Sequence, residues 1–276
     1  MDRSIGGETS LVCARFRVRA HHGPMRRLVD AREHLDGGLH DIATLDGNLA
    51  DLARINRRFG GTALSIAAIR RLVMTTATGA ELHAGAGARA SAMVPDVLRV
   101  IDVGTGAADI PLALAAATGP WSTVAVTAVD SRPEVLAAAE RVHPDLAAHP
   151  RVQLALADGR SLPWPDDAFD IGHASLVLHH LERPEAVVFL GELGRVARLG
   201  IVVNDLARGR LTLLGARLLL RLMTRNAWTR HDGVLSVRRA WTRREAEGLL
   251  REAGLRPIGA AVGFAGHRWA IAAVPA

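Results

Sequence analysis

The sequence predicts an α/β fold in which a doubly wound, largely parallel sheet follows a small helical cap. Three observations predict it. From Leu98 onward, short apolar runs alternate with amphipathic stretches, the pattern of βαβ units. A glycine-bearing turn, Asp102-Val-Gly104-Thr-Gly106, stands between the first run and the first stretch. Aspartates then recur just past successive apolar runs, at Asp130 and Asp158.

The elements read in order as follows. Residues 1–24 carry Arg3, Arg15, Arg17 and Arg19 without periodicity, and Gly23-Pro24 precedes Met25. They read as a disordered extension, or as a targeting segment, though no apolar signal region is present. Ile42, Leu45, Leu49, Leu52 and Ile55 form one helical stripe. Gly60-Gly61 stops it, and Leu64, Ile66, Ile69 and Leu72 mark a second helix. This pair either caps a pocket or simply packs on the core. Gly79, Gly85, Gly87 and Pro95 make residues 79–96 a loop-rich connection, so that 25–96 forms a cap and linker.

Strands are expected at 98–103, 124–129, 152–156, 169–175 and 199–204, with helices at 110–117, 133–141 and 184–196 between them. Pro133 opens the second of these helices. The alternation then stops, and 206–241 reads as a lid inserted into the core domain of 97–276. A helix over 242–253 leads to two final strands, about 256–264 and 268–274. The three residues Ala265-Gly266-His267 are too few for a crossover, so these strands must be antiparallel neighbours.

Composition narrows the function. The 276 residues are 49% hydrophobic and 22% charged, a globular balance. Cys13 is the only cysteine, which excludes a disulfide framework or a cysteine metal cage and suits a cytoplasmic protein. No apolar run reaches the ~18 residues of a membrane span. Net charge is +6 and the pI about 11.1, yet all 34 basic residues are arginine and no lysine occurs. That pattern fits a GC-rich coding bias. No basic tract is interleaved with aromatics, so nucleic acid is not the expected partner. The 12 histidines show no HxxxH or HExxH spacing, so no metal is expected.

The glycine turn is the strongest local signal. A dinucleotide fingerprint would need glycine where Asp109 stands, and a phosphate loop would need a lysine. Asp102 would repel a diphosphate but suits an ammonium group. The turn therefore suits a zwitterion or cation beside a nucleoside. Asp130, at a strand end, is placed to accept ribose hydroxyls. Asp158, in Asp158-Gly159-Arg160-Ser161-Leu162-Pro163, can take an exocyclic amine.

Together, Asp102-x-Gly104-x-Gly106, Asp130, Asp158-Gly159-x-x-Leu162-Pro163 and Phe169-Asp170 resemble the class I S-adenosylmethionine-dependent methyltransferases. The closest likeness in motif is to the ubiquinone- and menaquinone-biosynthesis branch. The resemblance implies a Rossmann-like seven-stranded sheet with the last strand antiparallel, and S-adenosylmethionine as cofactor. It implies cofactor contacts from Asp102, Gly104, Thr105, Gly106, Asp130, Ser131, Asp158, Gly159 and Ser175. The family's third glycine is Ala108 here, which implies looser packing with binding retained. The stretch Leu52 to Gly61 also resembles a segment ahead of the core in bacterial members from small-molecule pathways, including polyketide and phenolic-lipid ones.

These readings converge on methyl transfer to a small aromatic, phenolic or polyketide-like acceptor, at oxygen rather than carbon. His180, with His179 beside it, is the expected base, since a histidine suits proton removal from a hydroxyl. Arg57, Asn204, Arg208, His231 and Arg238 are the expected acceptor contacts. A cyclase or isomerase on this fold, or a cofactor-binding protein that moves no methyl, is the alternative. A homodimer stays open.

Overall fold

The computed structural model describes residues 25–37, 41–83 and 95–276, with the backbone alone for 78–83. The expected extension at 1–24 lies outside the described residues.

Seven strands form one sheet: β1 (Val97–Val103), β2 (Thr123–Asp130), β3 (Val152–Leu156), β4 (Phe169–Ser175), β5 (Ala197–Leu206), β6 (Leu255–Val262) and β7 (Arg268–Pro275). Their order is β3-β2-β1-β4-β5-β7-β6. The first five pair in parallel, and β7 runs antiparallel to both β5 and β6. The reversal between β1 and β4 makes a crevice at the carboxyl edge, where open α/β sheets bind ligands.

The helices are α1 (Ile42–Arg58), α2 (Gly61–His83), α3 (Asp109–Ala116), α4 (Pro133–Val142), α5 (Arg183–Arg195), α6 (Arg210–Met223), α7 (Ala227–Arg239) and α8 (Arg243–Glu252). Local chemistry fixes many of their starts. The Asp41 carboxylate accepts from the Ala43 and Thr44 amides, and Asn226 accepts from Trp228 and Thr229. Thr242 and Glu245 form a reciprocal capping box at α8. Two apolar layers cover the sheet. Phe189, Leu193 and Leu249, from α5 and α8, pack on one face. Ile69, Leu72, Ile110 and Leu114, from α2 and α3, pack on the other.

The two N-terminal helices face different neighbours. α2 buries Ile69 and Leu72 against the sheet, while α1 turns Leu49, Leu52 and Ile55 toward a cavity. α2 runs on through Gly79, where a loop was expected to begin. The stretch 206–241, expected as a lid, holds two helices, α6 and α7. One stripe of α6, with Leu211, Leu214, Leu218 and Leu222, is exposed. Among the described residues, no helix is long and apolar enough to cross a membrane.

Candidate active site

The turn between β1 and α3 takes the left-handed region three times, at Gly104 (φ 76), Gly106 (φ 55) and Ala108 (φ 56). The first two are the positions where glycine costs least. A Cβ on Gly104 would sit 2.2 Å from Val177 Cγ2, so only glycine lets the loop after β4 approach so closely. Ala108 accepts the left-handed conformation and is fully buried. Asp130 fastens the turn: one carboxylate oxygen accepts from the Gly106 amide and the other from the Arg132 amide, both at 3.2 Å. Burial pushes the Asp130 carboxyl above its ordinary range, and these amides oppose the shift.

A cavity of about 1110 Å³ opens over this edge. It includes Gly104, Thr105, Gly106, Asp130, Ser131 and Ser175. Apolar side chains from α1, α2 and α6, among them Leu52, Leu64 and Leu219, line much of the rest. A neighbouring crevice holds Asp158 and Gly159 and shares Gly104 and Asp130 with it. Asp158 is half-exposed and bound by Arg160, whose guanidinium holds it below the usual carboxylate range.

A cluster of ionisable groups stands at one part of the cavity. His179 and His180 follow β4 on a 3₁₀ turn, their rings 4.3 Å apart. His179 is buried; its Nδ1 lies 2.7 Å from Asp205 Oδ1, and its backbone amide donates to Asp205 Oδ2 at 3.0 Å. Burial alone would raise Asp205, but the charge and hydrogen bond of His179 outweigh it and hold the carboxyl low. His180 Nδ1 lies 2.6 Å from Asp36 Oδ1, and Arg239 Nη1 lies 2.6 Å from Asp36 Oδ2. Burial opposes ionisation of Asp36 too, yet the His180 and Arg239 contacts keep it well below the carboxylate range. Glu33 faces both imidazoles, and burial pushes its carboxyl up to about 7.

A second polar group lines the cavity. Arg268 Nη1 donates to Asn56 Oδ1 at 2.9 Å, and Asn56 Nδ2 donates to Asp109 at 3.4 Å. Burial lowers Arg268 to about 10 and raises Asp109 to about 6, the latter with help from the charge of Asp102. Gly61 makes room for Arg268, since a Cβ there would overlap the guanidinium.

The expected cofactor residues are thus gathered, with one exception. The Asp102 carboxylate is buried beneath the turn, 2.5 Å from His173 Nδ1, and Ser65 Oγ holds the other ring nitrogen at 2.9 Å. The expected bases, His179 and His180, both line the cavity. The five expected acceptor contacts do not. Asn204 is buried and ties β5 to α2 through Gly61 and Ser65. Arg208 binds the Met25 and Ala240 carbonyls and Glu245. Arg57, His231 and Arg238 are exposed and lie off the cavity wall. Glu33, Asp36, Asp205, Asn56, Asp109 and Arg268 escaped the sequence reading of the site. Asp205 and Asp109 stood beside motifs, but Glu33 and Asp36 gave no local signal at all.

A seven-stranded sheet of this order carries a glycine turn and a strand-end carboxylate at its crevice, where open α/β sheets bind ligands. Comparison with known proteins finds the following likenesses. Residues 100–200 match the family model described as a methyltransferase domain. Over 115 residues the chain is 35% identical to a phosphatidylethanolamine N-methyltransferase from Cereibacter sphaeroides, covering 40% of this chain and 52% of that one. The chain thus spans about half the length of that curated relative. A SAM-dependent methyltransferase structure from Aquifex aeolicus is similar with a TM-score of 0.48 at 21% identity, over 66% of this chain and 83% of the other. Magnesium protoporphyrin IX methyltransferase from Synechocystis PCC 6803, solved with bound SAH, gives 0.47 at 16%, over 76% and 84%. The family match places a methyltransferase domain at residues 100–200, and S-adenosylmethionine is the cofactor that the sequence motifs imply. The residues present fit that group. Gly104, Gly106 and Asp130 border the cavity, and Thr105 Oγ1 and Ser175 Oγ are buried at it without hydrogen-bond partners.

Proposed function

We infer that the chain transfers the cofactor's methyl group to an oxygen of a small aromatic, phenolic or polyketide-like acceptor. The observation that carries this reading is one continuous cavity. It joins the glycine turn and Asp130 to an apolar chamber and to the His179–His180–Glu33 cluster. When bound, the cofactor supplies an electrophilic methyl on a sulfonium sulfur. Asp130 accepts ribose hydroxyls, and Asp158 borders the crevice suited to the base. Asp109 and Arg268 suit the ammonium and carboxylate of the methionine part; Arg268 Nε is buried with no partner. The apolar walls hold the acceptor and exclude water.

The acceptor's hydroxyl belongs at the histidine cluster, where His180 is placed to take its proton, with Asp36 orienting the ring. This favours oxygen over carbon as the methylated atom. The test is to incubate the protein with methyl-deuterated S-adenosylmethionine and a panel of phenols and polyketide lactones, reading product mass. A labelled O-methyl product, lost in His180→Ala, supports the reading. A C-methyl product contradicts the choice of atom. Cofactor binding with no methylated product across the panel would favour a cyclase, an isomerase or a non-methylating binding protein.

A further inference from the structure

Glu33 Oε1 is buried and accepts no hydrogen bond, while Oε2 accepts from Ser236 Oγ at 3.0 Å. His179 Nε2 lies 3.7 Å from Oε1, and His180 Nε2 lies 3.9 Å from Oε2. Each imidazole spends its Nδ1 on a carboxylate, His179 on Asp205 and His180 on Asp36. A neutral ring whose Nδ1–H donates presents Nε2 as an acceptor. With each ring neutral and Glu33 ionised, as metal ligands must be, two imidazole lone pairs and a carboxylate oxygen face the same small volume. Acceptors do not satisfy one another, so a positive species belongs between them. Arg239 does not fill that place. It is committed to Asp36 and to the His180 carbonyl, and stays 3.7 Å from Glu33 Oε1.

We propose that Glu33, His179 and His180 bind a divalent transition-metal ion, with zinc the best fit, through two imidazole nitrogens and one carboxylate. The ligand atoms lie within 4.8 Å of one another. Metal–ligand bonds of about 2.1 Å at tetrahedral angles would space them roughly 3.4 Å apart, so closure needs only small side-chain shifts. The surroundings match what such sites require: Asp205 and Asp36 hold the ligating rings by their far nitrogens, fixing tautomer and orientation. Imidazole with carboxylate suits zinc over calcium or magnesium. All three residues line the cavity, so a remaining coordination position opens toward the acceptor. The cation's role there rests on the methyl transfer proposed above and replaces His180 as the base: with His180 Nε2 on the ion, the ion would hold the acceptor's hydroxyl oxygen and make its proton easier to lose. Metal binding itself does not depend on that reading. The other histidine–carboxylate group, His34, His231 and Asp232, is mostly exposed, and His231 bonds Asp232 directly at 2.8 Å, leaving no gap for an ion.

The full chain, stripped with a chelator and dialysed, is titrated with Zn²⁺ by calorimetry and with Co²⁺ by visible absorption. One equivalent should bind. Glu33→Gln and His180→Asn should each weaken binding at least tenfold, on the order seen when metal shells are altered. His231→Ala should leave it unchanged. S-adenosylhomocysteine affinity, measured in parallel, reports that each variant is folded; should Glu33→Gln fail that check, His180→Asn decides. No zinc binding by a chain that binds S-adenosylhomocysteine overturns the site and leaves protons in the gap. So does zinc binding indifferent to both variants. Zinc bound by a chain that does not bind S-adenosylhomocysteine supports the site while striking the cofactor-based function.

Discussion

His180 Nδ1 meets Asp36 Oδ1 at 2.6 Å across 144 residues of sequence, joining the loop after β4 to the segment ahead of α1. The segment that delivers Glu33 and Asp36 is pinned by Arg27. That guanidinium lies 4.0 Å over the Trp241 ring, pairs with Glu182, and donates to the Leu181 and Arg239 carbonyls. Arg27→Ala should cost about 2–3 kcal/mol of local stability, the scale of a lost charged hydrogen-bond network. Hydrogen exchange should then speed in residues 25–37, and methyl-transfer kcat should fall with cofactor affinity unchanged. Arg27→Lys should rescue little, because lysine cannot reproduce the planar, multiply bonded geometry.

Gly104 tests the cofactor turn. Gly104→Ala forces a Cβ against Val177 and holds alanine in the left-handed region, a strain of about 1–2 kcal/mol before the clash is counted. S-adenosylhomocysteine affinity should drop at least tenfold. Adding Val177→Ala should recover part of the loss, since it relieves the clash and not the strain. Calorimetry on the single and double variants reads both.

Asp109 supplies a pH dependence with a definite sign. Burial raises its carboxyl to about 6 in the folded chain, above the unfolded value of about 3.9. The folded state therefore binds the proton more tightly. Its contribution to stability is full below about pH 4 and is lost as pH rises through 6. Asp109→Asn removes the titration. Its stability relative to the unaltered chain should rise between pH 4 and 6 and level off near pH 7, at up to about 3 kcal/mol. Denaturant unfolding of both proteins across that range checks it, and parallel curves would be contrary.

The elements of the fold were written in local chemistry. The β-branched runs at 97–103 and 123–130, Pro133 at a helix start and the three-residue turn before β7 each dictate structure within a few residues. That Gly104, Gly106, Asp130 and Asp158 gather at the carboxyl edge was legible for the same reason, because they stand beside the strands that place them. Asp102 looked equally local, yet tertiary contacts gave its carboxylate to His173. The acceptor side was not legible. Glu33 and Asp36 reach it through a segment with no periodic pattern, held by arginines whose partners lie far along the chain. Asn204 and Arg208 sit where a lid contact would be expected, but backbone groups of α2, the N-terminal segment and α7 need their hydrogen bonds more.

The proposed function requires that the carboxyl edge of this sheet hold S-adenosylmethionine by way of Asp130. Calorimetric titration of the full chain with S-adenosylmethionine and S-adenosylhomocysteine, repeated on Asp130→Ala, tests it most directly. Micromolar binding by the unaltered chain, weakened at least tenfold in a variant that keeps its secondary structure, is the predicted result. A folded chain that binds neither compound, or binds both equally well without Asp130, would contradict it.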